Sequence, residues 1–117
     1  MHKIYHLSTC DTCKRIIRDL EAPSSFVVQD IKKNEITVTQ LEEMHALSGS
    51  YESLFSRRAK LYKERQLKDK KLTERDFKSL ILEHYTFLKR PVIVNNEEIF
   101  IGNSKNTIQA AKESIKN

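Results

Sequence analysis

The stretch His6–Ile16, "HLSTCDTCKRI", decides how the rest of the chain is read. It contains the only two cysteines, Cys10 and Cys13. Just upstream, "KIYHL" (Lys3–Leu7) has the character of a short buried strand. Downstream, Cys13, Ile16, Ile17 and Leu20 fall at the spacing of one helix face, with Lys14, Arg15, Arg18 and Asp19 off it. "APSS" (Ala22–Ser25) breaks that helix, and "FVVQDI" (Phe26–Ile31) reads as a second strand. Strand, helix and strand with short joints predict a βαβ unit with a parallel strand pair.

Working outward, the middle of the chain reads as helical. Thr39 followed by Glu42 resembles a capping box, ahead of Leu41, Met44 and Leu47 with His45 beside them. "GSYES" (Gly49–Ser53) separates this helix from a helical stretch through a basic region. Thr73 with Asp76 caps a further helix, whose stripe is Phe77, Leu80, Ile81 and His84. Near the end, "PVIV" (Pro91–Val94) and "EIFI" (Glu98–Ile101) are strand-like, with "NNE" (Asn95–Glu97) as a tight hairpin turn. Asn103 or Ser104 then caps a last helix with Ile108, Ala111 and Ile115 inward. The order β-α-β, helical middle, β-β-α predicts an α/β, thioredoxin-like fold. It would be a single domain over residues 1–117, with a helical insertion at about residues 35–88.

The cysteine pair has three readings: a metal clip, a structural bridge or a reactive pair. His2, His6, Cys10 and Cys13 offer zinc-like donors, but His2 and His6 on one strand stand about 13 Å apart. Donors on one tetrahedral zinc lie about 2 Å from the ion, so no metal site is expected. Redox chemistry fits better. Cys10 would sit at the helix start, facing unpaired backbone N–H groups and the positive end of the helix dipole. Both favour thiolate, and Lys14, Arg15 and His6 would add positive potential. Cys13 is close enough to attack a mixed disulfide on Cys10, yet it also begins the apolar stripe, as a buried inert residue would. The same helix start suits an oxyanion, given arginines to hold it.

The bulk numbers narrow the classes. The chain has 117 residues and a formal charge of +5. Arg57–Lys71 carries eight Lys/Arg against two acids, so the remainder sums to −1. That stretch is either a solvated helix face or a surface that attracts nucleic acid, an acidic protein or a small anion. No apolar run approaches the roughly 20 residues of a membrane span, and "MHKIYHLSTC" is too polar for a secretory signal. The expectation is a cytoplasmic protein, where a cysteine pair is more often redox-active or metal-binding than structural. His45 and His84 read as core or boundary histidines, and the acids Glu42–Glu43 and Glu97–Glu98 as solvated surface, while Tyr51, Tyr62 and Tyr85 are too dispersed for a base-stacking platform. No base-reading motif is present, so direct nucleic-acid binding is not expected.

Three stretches together resemble a known family. "IYHLSTCDTCKRI" is similar to the opening of the glutaredoxin-linked arsenate reductases, a family that includes the Spx regulators. "LFSRRAKLYK" resembles its internal arginine motif, and "LKRPVIVNNEEIFIG" its strand-hairpin motif. The resemblance implies that Cys10 is the nucleophile, acting on an oxyanion or a disulfide, with His6 as the upstream histidine. Arg58, rather than Arg57, and Arg90 would hold the oxyanion or the glutathione carboxylates. Pro91 would follow a cis bond. It further implies no bound cofactor, glutathione as co-substrate and glutaredoxin as partner. Where reductase members carry a third arginine, this chain has Asn103, which donates hydrogen bonds but no charge and counts against arsenate. Cys13 gives the CxxC of the Spx branch. On that reading Cys10–Cys13 is a redox switch, and the partner is the RNA polymerase alpha subunit.

Overall fold

The computed structural model describes residues 1–117. They divide into two compact units, Met1–Glu35 with Arg90–Asn117, and Ile36–Lys89.

The first unit is built on a four-stranded sheet in the order β2-β1-β3-β4. β1 (His2–His6) pairs in parallel with β2 (Val27–Asp30), His6 opposite Asp30. β3 (Val92–Asn95) runs antiparallel to β1 and to β4 (Glu98–Ile101). The expected hairpin is present, with Asn96 at its tip at φ 58°, a left-handed conformation that Asn tolerates better than most residues. β1 lies one residue earlier than expected, because Leu7 is drawn into a turn closed by the Cys10 N–H bonded to its carbonyl at 3.0 Å.

Strand alternation puts Ile4, Ile93 and Phe100 side by side on one face. Against that face lie Ile16, Ile17 and Leu20 of α1 (Asp11–Leu20) and Ile108, Ala111 and Ile115 of α5 (Lys105–Lys116), with Phe26. α1 therefore buries the stripe that its spacing predicted. It stops at Glu21, which adopts a left-handed conformation (φ 48°) ahead of Ala22 and Pro23. Of the two residues expected to cap α5, Ser104 does so, its hydroxyl accepting from the Thr107 N–H at 3.2 Å. This βαβ-ββα order about a mixed sheet is the thioredoxin-like arrangement.

The second unit contains α2 (Val38–Ser48), α3 (Lys60–Glu64) and α4 (Glu74–Glu83), joined by short 3-10 turns. Its centre is Phe55, fully buried and in ring contact with Tyr62, Phe77 and Phe87. Leu41, Met44, Leu54, Ile81 and Leu88 are buried as well. The Glu74 carboxylate accepts from the N–H groups of Tyr51 and Glu52 at 2.7 and 3.0 Å. It thereby ties the start of α4 to the turn after α2.

Three local expectations are corrected here. The α2 capping box is Thr37 with Gln40, not Thr39 with Glu42. Both pairs fit the pattern, but Thr37 has the extended backbone a cap requires (φ −87°, ψ 163°), whereas Thr39 is already helical. His84 does not continue the α4 stripe. Its backbone is extended, and its ring nitrogen accepts from the Thr86 N–H at 3.1 Å, starting the next turn. The helix through the basic stretch is only Lys60–Glu64, and Gln66, at φ 54°, breaks it from the turn Leu67–Asp69.

Candidate active site

The turn Leu7–Cys10 hands the chain from β1 to α1, and Cys10 is the residue before the first helical turn. Its side chain makes no conventional capping bond. The first N–H groups of any helix lack intrahelical partners, and here those of Cys13 and Thr12 favour an anionic Cys10 sulfur. Partial burial pushes this thiol up. The Cys13 N–H, the Cys13 thiol, the Thr12 N–H and the Arg90 guanidinium together outweigh burial, so the net shift is downward.

Cys13 shows the reverse. It is buried, and burial pushes its thiol up to about 11. The Leu7 backbone partly offsets this, while the neighbouring Cys10 adds to it. Both thiols are free. One sulfur is thus shifted toward the anion, while its neighbour keeps its proton and donates a hydrogen bond to it.

His6 is half-buried at the end of β1, and its Nδ1 is buried without a hydrogen-bond partner. Burial lowers its pKa more than Asp30, its register partner on β2, raises it. His6 therefore enters the site as a neutral imidazole near pH 7. The cation acting on Cys10 is Arg90, distant in sequence and brought near by β3.

The Arg90–Pro91 bond is cis, as the family resemblance implied. Pro91 is buried, and its carbonyl accepts from the Gly102 N–H at 2.9 Å. Asn103 follows on that tethered segment with its side chain exposed. Arg58 belongs to the second unit, just before α3, and is exposed. Arg57 is engaged by Glu52 at 2.7 Å, whereas Arg58 joins none of the chain's four salt bridges.

Two site neighbours had no signature in the sequence. Asp30, at the end of β2, accepts from the Ser8 hydroxyl, and from the Ser8 N–H at 3.4 Å. It also accepts from the Lys32 N–H at 3.1 Å. Ser8 belongs to the quoted motif, but its partner becomes apparent only once β2 lies beside β1.

Known proteins share this fold. Among solved structures, an ArsC family related protein from Bacteroides fragilis superposes with a TM-score of 0.77 at 22% identity, covering 94% of this chain and 96% of its own. An arsenate reductase from Vibrio cholerae gives 0.72 at 22%, covering 96% and 95%. At these identities the likeness is one of fold. In sequence, the global transcriptional regulator Spx 2 of Bacillus cereus is 26% identical over 109 residues, 91% of this chain and 82% of that protein. The sequence model of the ArsC family matches residues 5–111, which takes in the cysteine turn, the Arg90–Pro91 bond and most of α5. On that match over nearly its whole length, the chain belongs to the ArsC family.

Proposed function

We propose that the chain is a thiol-dependent oxidoreductase in which Cys10 is the nucleophile and glutathione the reductant. The observation that carries this reading is the lowered Cys10 thiol at the start of α1, flanked by the N–H groups of Cys13 and Thr12 and by Arg90. A lowered thiol pKa raises the share of thiolate, the form that attacks a disulfide or an oxyanion. With the neutral Asn103 where reductase members carry arginine, a disulfide suits the site better than arsenate.

In the proposed cycle the Cys10 thiolate attacks one sulfur of the substrate. A new S–S bond forms, and the other sulfur leaves as a thiolate. A glutathione thiolate then attacks the adduct on the substrate sulfur and releases Cys10. The product is a glutathione mixed disulfide, which glutaredoxin reduces. Cys13 is poorly suited to resolve the adduct itself. Adduct formation removes the Cys10 charge, but burial, the larger cause of its raised pKa, remains.

NADPH consumption with glutathione, glutaredoxin and glutathione reductase tests this, using a small disulfide and arsenate in parallel. Turnover is expected with the disulfide, lost in Cys10→Ser and largely kept in Cys13→Ser. Equal turnover in wild type and Cys10→Ser would sink the enzyme reading.

The Spx 2 relatives, with the proximity of the two thiols, support a second reading. Loss of two electrons and two protons to an oxidant would join Cys10 to Cys13 and disturb the first turn of α1. The partner would be the RNA polymerase alpha subunit. Capture of that subunit by the oxidised but not the reduced chain would favour this reading.

A further inference from the structure

The sulfur of Cys10 is useful only while it stays against the N–H groups of Thr12 and Cys13, and that depends on the turn that delivers it. We infer that Asp30, acting through Ser8, is a positioning residue for Cys10. Its carboxylate ties the Leu7–Cys10 turn to the end of β2 and so holds the sulfur at the start of α1. This rests on the reading of Cys10 as the reactive thiol.

The geometry is specific. The turn is closed at its base by the Cys10 N–H on the Leu7 carbonyl. It is tethered to β2 through Ser8, which donates both its hydroxyl and its N–H to the two oxygens of Asp30. Asp30 is itself fixed from two sides. Its backbone lies in register with His6, the Ile31 N–H donating to the His6 carbonyl at 2.9 Å. Its Oδ1 also accepts from the Lys32 N–H at 3.1 Å. A carboxylate held by a strand and a turn is therefore clamped onto the residue two places before the nucleophile. Being anionic, it makes stronger hydrogen bonds than a neutral acceptor would.

The direction of the expected effect separates positioning from simple charge. The charged and titratable groups facing this region are Asp30, His6, Cys13 and Arg90. Removing a nearby negative charge, with nothing else changed, would ease ionisation of Cys10 and lower its pKa. Loosening the turn does the opposite, because the sulfur loses its N–H partners. A residue that merely stabilised the fold would shift the unfolding midpoint and leave the thiol titration unchanged.

The test is the pH dependence of Cys10 alkylation by iodoacetamide, followed by peptide mass spectrometry. The panel is wild type, Asp30→Asn, Ser8→Ala, Ser8→Thr and Asp30→Asn with Ser8→Ala, with a urea midpoint for each. The wild-type titration is expected below the ordinary thiol value. Asp30→Asn and Ser8→Ala should each raise it by about half a unit to one unit, roughly a three- to tenfold loss of thiolate below the pKa. The double variant should be no worse than the worse single, and Ser8→Thr, which keeps the hydroxyl, should restore the wild-type curve. If Asp30→Asn unfolds, Ser8→Ala decides, since it removes a single hydroxyl. A depressed wild-type value that Ser8→Ala leaves unchanged, or that Asp30→Asn lowers further, overturns the positioning role alone. An ordinary wild-type value overturns the reactive-thiol reading beneath it.

Discussion

Cys10 and Cys13 stand one helical turn apart at the start of α1 and shift in opposite directions, the first downward and the second up to about 11. Selective labelling follows. At about pH 7, limiting iodoacetamide should modify Cys10 and leave Cys13 untouched, because only thiolate reacts appreciably. Peptide mass spectrometry reads the ratio. Comparable labelling of both sulfurs in the folded chain would contradict the opposed shifts.

Arg90 is the side-chain cation that acts on Cys10, yet its contribution is smaller than that of the helix N–H groups. Arg90→Gln should therefore raise the Cys10 titration by only about a few tenths of a unit, and added salt should shrink the difference from wild type. A loss of the whole depression in Arg90→Gln would mean that the guanidinium, not the helix start, makes the thiolate.

His6 links the site to acid stability. Its folded pKa lies below the unfolded value of about 6.5, so the unfolded chain takes up this proton first as pH falls. The stability His6 contributes is complete above about pH 6.5 and declines as pH drops toward its lower folded value. Urea midpoints at about pH 8 and about pH 5 should therefore differ more in wild type than in His6→Gln. An unchanged pH dependence in the variant would show that the imidazole is not buried in its neutral form.

The choice of cap on α2 is directly measurable. Thr37→Ala removes the hydroxyl that accepts from the Gln40 N–H at 3.0 Å, and should cost about 1 kcal/mol. Thr39→Ala, within the helix, should stay within about 0.5 kcal/mol of wild type. Urea unfolding distinguishes the two, and a larger loss at Thr39 would restore the alternative cap.

Phe55 is the ring at the centre of the second unit, fully buried and touching three other aromatic rings. Phe55→Ala should destabilise by about 3–5 kcal/mol, the lost transfer energy plus the cavity left behind. The same substitution at Phe100, only half-buried at the edge of its sheet, should cost clearly less.

Much of the architecture was legible in the chain because it rests on local periodicity. The stripe Cys13, Ile16, Ile17 and Leu20 announced α1, and two apolar runs around "NNE" announced the hairpin. Where two local patterns competed, spacing could not choose. Thr37-x-x-Gln40 and Thr39-x-x-Glu42 both look like caps, and only backbone conformation separates them. His84 likewise continues a stripe on paper but leaves the helix, because its ring finds a backbone donor in the next turn.

The sequence by itself determined that a cysteine opens a helix behind a strand, and that alone gives Cys10 unpaired N–H groups to face. It did not determine the other influences on that sulfur. Arg90 arrives just ahead of β3, a strand late in the chain that pairs with β1, and Asp30 meets Ser8 only because β2 lies in register with β1. Burial pushes Cys13 up and keeps His6 neutral, and burial exists only once α1 and the sheet have come together. Short-range order is written in residue spacing. Long-range electrostatics and desolvation depend on which segments become neighbours, and that is settled by tertiary packing.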